Sequence, residues 1–375
     1  MTGRTLSKWA LPVAFIAACA VALAVAFGPR AGRTEKARGA RVAAWRVAWR
    51  TQMEARPNAP SCLFPEGWVV TDEAGGVTAL SDQGVRVWRT ALSNQVFEAA
   101  ALVSKERVVV ASVQGRVTAL RAGTGEVVWS AEVDARFQHK PLGGLVSGGE
   151  ETVRLVSQSD GRLFCFRLAD GKIVWQSEPT NRCDGEPAVW PEGVAYGNCD
   201  GAVYVFDAAT GALKGSVAVG ENDQMAGGLL ADGTGLLVAG TRQGNLVAVK
   251  AATLTCEARV QVSPSEAFLK PALAFDGLIA MGTQEGELSF WRFDGTRLQP
   301  EGRVVLGQPV VQLEAYDGRL FVLAGGALRV MDTPGGDPVS VALGDEVYGL
   351  AARCRCAVAC VADGAVVFVK GASDE

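Results

Sequence analysis

Residues 115–129, Gly-Arg-Val-Thr-Ala-Leu-Arg-Ala-Gly-Thr-Gly-Glu-Val-Val-Trp, decide how the chain is read. The stretch opens on a turn glycine and runs through a strand to a second turn at Thr124-Gly125. A further strand follows and ends on Trp129. Glycine takes the positive φ that tight turns demand. Between the turns, Val117, Ala119 and Ala122 alternate with Arg116, Thr118 and Arg121, the period of a half-buried strand. One such hairpin has nothing to bury its apolar face against, so it needs neighbours of its own kind.

The neighbours are present. Residues 161–175 repeat the spacing of glycine, glycine and tryptophan. Residues 201–211 repeat it up to the second glycine, with Gly215 where the tryptophan would fall. Weaker copies start at Gly76, Gly244, Gly286, Gly326 and Gly364, so that successive copies stand 38 to 46 residues apart. A period near forty, filled with short strands and turn glycines, predicts a propeller of four-stranded blades. Eight starts predict eight blades. Residues 186–217 show the expected layout: an innermost strand at 186–190, a second at 194–197, a third at 202–206 and an outer one at 213–217. Helix signals are nearly absent beyond residue 50.

The pattern Gly-x-hydrophobic-x-Ala-x-x-x-x-Thr-Gly-x-x-x-Trp resembles the pyrroloquinoline-quinone (PQQ) repeat family of β-propellers, and within it the non-catalytic BamB-like branch. The likeness is strongest at Gly115 and Gly161, fades in the later copies and covers about residues 41–370. It implies an all-β ring in which Trp88, Trp129 and Trp175 dock successive blades. It does not settle function, because the family also includes quinone-dependent dehydrogenases and sensor domains. Those dehydrogenases are larger and carry a vicinal cysteine pair and calcium ligands near the cofactor. This chain has no Cys-Cys, so no cofactor and no enzymatic activity are expected.

Bulk properties narrow the choice further. A net charge of −4 leaves no electrostatic footprint for nucleic acid. One histidine, His139, removes most metal and acid–base constellations. The closest group among the nine cysteines, Cys354, Cys356 and Cys360, lacks a zinc-type spacing, so no metal site is expected. Cys165 and Cys256 read as small buried hydrophobes. Cys183 and Cys199 flank a hairpin turned at 190–193 and are candidates for a disulfide in an oxidising compartment.

The termini complete the domain plan. Residues 1–8 form a short basic tail, and Trp9 to Phe27 is an uncharged apolar run of nineteen residues. That run is long enough to cross a bilayer and reads as a membrane anchor. A cleaved signal with Ala24-Val25-Ala26 as its site is the second reading. A third comes from the likeness of Ile16-Ala-Ala-Cys19 to a lipobox, with Cys19 as the lipidated residue. Residues 28–40 are a basic linker. Counting its cations favours a cytoplasmic propeller, whereas the resemblance and the export-like N-terminus favour a periplasmic one, the placement adopted here. Residues 371–375 are a tail.

The copy at Gly364 stops before its outer strand, and residues 41–50 look like an outer strand without a blade. Joining the two closes the ring and covers two edges; the alternative for 41–50 is an amphipathic juxtamembrane helix. Without a catalytic constellation, function falls to the channel mouth, where the loops entering the innermost strands converge. Candidate partner-binding residues there are Phe97, Glu98, Phe137, His139, Lys140, Glu186, Gln224, Phe268, Lys270, Gln308 and Glu346. Phenylalanines among mixed charges suit a polypeptide partner. The chain is therefore expected to be a monomeric, membrane-attached interaction scaffold of the bacterial cell envelope, with outer-membrane protein assembly as one setting. The alternative is a sensory propeller that reads a small ligand.

Overall fold

Turn glycines and short apolar strands recur along the chain, and each four-strand set folds into its own antiparallel sheet. The computed structural model describes residues 44–62, 67–104, 106–146, 149–221, 223–225, 227–264, 270–344 and 346–372. They form eight sheets of four strands each. Blades 1 to 7 occupy residues 57–91, 102–132, 142–176, 188–218, 230–261, 272–305 and 310–342. Blade 8 takes three strands from residues 347–371 and its outer strand, Trp45–Gln52, from the other end of the described chain. That strand runs antiparallel to Ala365–Gly371, from Trp45 opposite Gly371 to Gln52 opposite Ala365. Residues 45–50 of the segment expected to close the ring are thus a strand, not a helix, and 41–43 lie outside the described residues. The apolar run at 9–27 and Cys19 lie outside the described residues, as do Phe268 and residue 345.

The core is divided among the seams. Eight apolar clusters are present, one between each pair of adjacent blades, including the pair 8 and 1. This arrangement corrects the half-buried pattern expected for the third strands. In Arg116–Arg121 the side chains of Val117, Thr118, Ala119 and Leu120 are all buried. A strand in the middle of a blade has a neighbouring blade on each face, so alternation gives way to continuous burial.

The tryptophan and the second motif glycine explain each other. Trp88 donates its indole N–H to the carbonyl of Ala122 in the next blade at 2.9 Å, and Trp129 does the same to Leu168 at 2.8 Å. Each ring lies over the turn glycine of that next blade. A Cβ on Gly125 would stand 2.5 Å from Trp88, one on Gly171 2.5 Å from Trp129, and one on Gly211 2.3 Å from Trp175. The same device closes the ring. Trp49 of blade 8 donates to the carbonyl of Asp82 at 2.7 Å and covers Gly84 of blade 1. Where blade 4 has Gly215 in place of tryptophan, Leu254 from blade 5 fills the space.

Each of these tryptophans follows a β-bulge. In seven blades the register slips by one residue near the start of the outer strand, which leaves one residue unpaired. The unpaired residues are Ala48, Val87, Val128, Val174, Lys214, Glu257 and Glu301. The bulge re-aims the strand so that the next side chain swings onto the neighbouring blade.

Candidate functional site

Strand direction gives the ring two distinct faces. Each innermost strand starts, and each outer strand ends, on one face. The turns from third to outer strand lie on the opposite face. The described chain enters at Trp45, beside the end of the third strand at Gly371, and therefore on that opposite face.

On the first face a cavity of about 690 Å³ opens at the axis, and all eight blades contribute to its wall. Its charged members are Glu98 from blade 2, Lys140 from blade 3, Glu186 from blade 4, Lys270 from blade 6 and Glu314 from blade 7. Most sit in the loops that lead into the innermost strands, where the chain has not yet entered a sheet.

These charges are not equivalent. Lys270 pairs with Glu186 at 2.6 Å, across the top of blade 5. Gly228 makes that bridge possible: a Cβ there would stand 2.7 Å from Lys270 Cβ and 3.0 Å from Glu186 Cβ. Glu98 accepts from Arg136 at 3.0 Å and from the amide of Gln138. Gln312 is clamped to blade 8, accepting from the Leu350 N–H at 2.9 Å and donating to the Leu350 carbonyl at 3.1 Å. Its amide also donates to Glu314 at 3.2 Å. Burial pushes the Glu314 carboxyl up from the usual carboxylate range, and Lys270 and Lys140 pull only partly against it. Lys140 is exposed and, among the described residues, has no hydrogen bond or ion pair.

The candidates read from sequence divide into three groups. Glu98, His139, Lys140, Glu186 and Lys270 meet around the cavity. Gln224, Gln308 and Glu346 belong to the same face but do not line the cavity. Gln224 is half-buried, and its backbone carbonyl accepts from Arg242 at 2.9 Å.

Phe97 and Phe137 are corrected by the structure. Both are fully buried, Phe97 in the seam between blades 1 and 2 and Phe137 between blades 2 and 3. The connections between blades dive into the seams, so a phenylalanine one residue before a charged mouth residue faces inward. His139 is also less free than a contact residue would be. Its Nε2 donates to the Cys183 carbonyl at 3.3 Å, and burial lowers its pKa.

Cys183 and Cys199 are free thiols. The hairpin ladder ends at Ala188 opposite Ala195, short of both cysteines. Cys183 Sγ donates to the Gly185 carbonyl at 3.3 Å and Cys199 Sγ to Asp184 at 2.9 Å. Cys165 is buried as expected, whereas Cys256 is exposed on an outer strand.

Sequence reading missed Glu314 and Gln312. The available signal was two polar residues two apart in an innermost strand, which places them on one side of it. Asp223, beside the candidate Gln224, is structural: its fully buried carboxylate pairs with Arg259 at 3.2 Å and accepts from Asn245 at 3.2 Å and the Gln243 N–H at 3.0 Å. Asp223 therefore locks the connection between blades 4 and 5.

Eight four-stranded blades around a channel with a charged mouth define the class: a closed β-propeller that presents side chains at its axis. The chain belongs to the PQQ-repeat family described as outer membrane protein assembly factor BamB, whose model matches residues 35–186 and 73–295. Among solved structures it is similar to BamB from Moraxella catarrhalis, at 17% identity and a TM-score of 0.70, over 89% of this chain and 99% of that one. It is similar to the computationally designed Ika8 protein at 16% identity and a TM-score of 0.72, over 85% and 97% of the two chains. The C-terminal WD40 domain of Sif2 matches at 10% identity and a TM-score of 0.72, over 88% and 99%. At these identities the likeness is one of fold. No curated protein matches the chain.

The family name raises the question of a quinone and its metal. Among the described residues no three His, Cys, Asp or Glu side chains stand together as a metal site. The mouth carboxylates Glu98 and Glu186 are already engaged by Arg136 and Lys270. Glu314, the third mouth carboxylate, accepts from the Gln312 amide, so the described donors do not fit a quinone–metal pair.

Proposed function

We propose that this chain is a non-catalytic scaffold of the bacterial cell envelope, attached to a membrane through residues 9–27, that holds a protein partner at the charged mouth of its ring. Membership of the BamB family supports the envelope setting and, within it, a part in outer-membrane protein assembly. One observation carries the choice of face: loops or strands of all eight blades converge on one cavity with five charged side chains, of which Lys140 has no hydrogen bond or ion pair among the described residues. Among the described residues the mouth offers no aromatic anchor, since Phe97 and Phe137 are buried. Its chemistry is a mixed ring of carboxylates and ammonium groups, suited to orienting a polar polypeptide more than to gripping an apolar one.

The test uses Lys140→Glu. Lys140 has no partner within the fold among the described residues, so reversing its charge leaves the ring intact while changing what the mouth presents. The variant is expected to lose most of the partner that co-purifies with the full chain from envelope extracts. Co-purification at wild-type yield, with an unchanged melting temperature, rejects the mouth as the contact.

A second reading, a small ligand bound in the channel, is favoured by the same unpaired Lys140 above the 690 Å³ cavity. A ligand that binds only the folded ring raises its unfolding midpoint. A thermal-shift screen on wild type and Lys140→Glu separates the two readings.

A further inference from the structure

The bulge on the outer strands is a position repeated around the ring, and the residues that occupy it differ by sector. In blades 4, 5 and 6 the bulged residue is charged and paired within its own blade. Lys214 bonds Asp207 at 3.3 Å, Glu257 bonds Lys250 at 3.5 Å and Glu301 bonds Arg292 at 2.9 Å. In blades 1, 2 and 3 it is Val87, Val128 and Val174. Each has a second exposed apolar neighbour: Val85 at 64% exposure, Val127 at 51% and Ile173 at 46%. Blade 8 continues the sector with exposed Val47 and Ala48. Four consecutive blades thus leave β-branched or small apolar side chains in water at a place where three others carry ion pairs. The apolar bulges are those followed by a docking tryptophan, Trp49, Trp88, Trp129 and Trp175, whereas Gly215, Ala258 and Gly302 follow the charged ones; the tryptophan packs onto the next blade and the bulged side chain itself stays in water.

We propose that this sector, at the starts of the outer strands of blades 8, 1, 2 and 3, lies against an anionic lipid bilayer. The occupant follows from two features. The sector is on the face where the chain enters the ring, and blade 8, which receives the chain, belongs to it. Seventeen residues, 28–44, separate the apolar run from the ring, a reach of at most about 60 Å, and the run itself can cross a bilayer. The sector's charge is the second feature. Of the charged residues next in sequence to these side chains, Arg86 pairs with Glu54 at 2.5 Å, Lys172 with Asp170 at 3.6 Å and Glu126 with Arg121 at 3.4 Å. Arg46 has no ion pair among the described residues. Residues 28–40 add Arg30, Arg33, Lys36 and Arg38 with one acid, Glu35. Apolar side chains flanked by cations suit an anionic lipid surface. The proposal rests on the reading of residues 9–27 as an anchor and adds to it an orientation: the entry face rests on lipid and the mouth points away.

The experiment uses the full chain in vesicles of phosphatidylglycerol and phosphatidylethanolamine. A genetically encoded fluorescent residue replaces Val128 in one protein and Glu257, its counterpart in blade 5, in another. Quenching by doxyl-labelled lipid is expected to be at least threefold stronger at position 128 and to weaken when phosphatidylcholine replaces phosphatidylglycerol. A triple variant, Val87→Asp, Val128→Asp and Val174→Asp, alters only exposed side chains. With the fluorescent residue at Ile173, it is expected to lose that quenching while still floating with the vesicles. Flotation with equal quenching at positions 128 and 257 overturns the orientation but leaves the anchor standing. Failure of the chain to float overturns both. Shielding of position 128 that is as strong in detergent without vesicles assigns the sector to a second copy of the chain and overturns the lipid contact.

Discussion

Replacing Gly171 by alanine tests whether the repeat glycine exists for its backbone or for the tryptophan above it. Gly171 has φ of +74° and Gly318 of +71°, so the left-handed strain of an alanine, roughly 1–2 kcal/mol, is common to both sites. The surroundings differ. A Cβ at Gly171 would stand 2.5 Å from Cε3 and 2.7 Å from Cδ2 of Trp129, whereas one at Gly318 meets nothing within 4 Å. Forcing atoms into a packed contact adds about 1–3 kcal/mol, at Gly171 alone. An unfolding entropy of about 2.1 cal/mol/K per residue over about 330 residues makes each kcal/mol worth about 1.4 °C. Gly171→Ala is therefore expected to melt about 1.5–4 °C below Gly318→Ala in a circular-dichroism scan. In a Trp129→Leu background the two alanine substitutions are expected to cost the same, the coupling a double-mutant cycle isolates. Equal melting shifts in the native background would refute the docking argument and leave only the turn.

Trp49→Ala removes the ring that stacks on Phe368 at 5.2 Å and the bond to Asp82, and is expected to cost roughly 3 kcal/mol, read by denaturant unfolding. Amide exchange is expected to speed up in blades 8 and 1 and not in blades 3 to 5. Asp223→Ala leaves Arg259 facing a seam without its carboxylate and is expected to cost roughly 3 kcal/mol in the same assay. Glu314→Gln removes a carboxyl whose folded pKa is raised, so the native state holds that proton more tightly than the unfolded chain. The substitution should therefore raise the melting temperature at pH 7, above the ordinary glutamate range, and lose its effect as the pH falls below it; a constant gain would sink the argument. Alkylation of unreduced, denatured protein followed by peptide mapping is expected to find both Cys183 and Cys199 modified, and a bridged peptide would overturn the free-thiol assignment.

Much of the ring was legible in the chain because its repeat is written in backbone terms. Gly115, Gly161 and Gly201 hold φ of +82°, +68° and +77°, values that few other residues adopt, so the turns survive even where the strands between them drift. The missing outer strand after Gly364 was legible for a related reason. A blade of three strands exposes an edge, and only one other segment, around Trp45 to Arg50, had the composition to cover it. What could not be read was which face of a strand goes where. A bulge shifts the side-chain alternation by one residue, and nothing at Val128 or Val174 distinguishes a bulged valine from a paired one.

The mouth was harder for a different reason, and it bears on how such sites can be found. Phe97 and Glu98 are neighbours in the chain, yet one lies at the centre of a seam and the other on the axis. The connection between blades turns through the seam within a few residues, so charge and aromatic character close together in sequence separate in space. The charged residues that do share the axis come from blades 2, 3, 4, 6 and 7, and no spacing rule links them. Lys270 reaches Glu186 over blade 5 only because position 228 has no side chain. Gly228→Ala, which needs no positive φ, should therefore disturb the mouth and spare the ring. Its Cβ would crowd Lys270 and Glu186, breaking that pair and freeing a second ammonium beside Lys140. If the mouth holds the partner by its charge pattern, this variant should change partner affinity in the opposite sense to Lys140→Glu, with the melting temperature within about 2 °C of wild type. A change in the same sense would mean that the fold of the mouth, and not its charge, holds the partner.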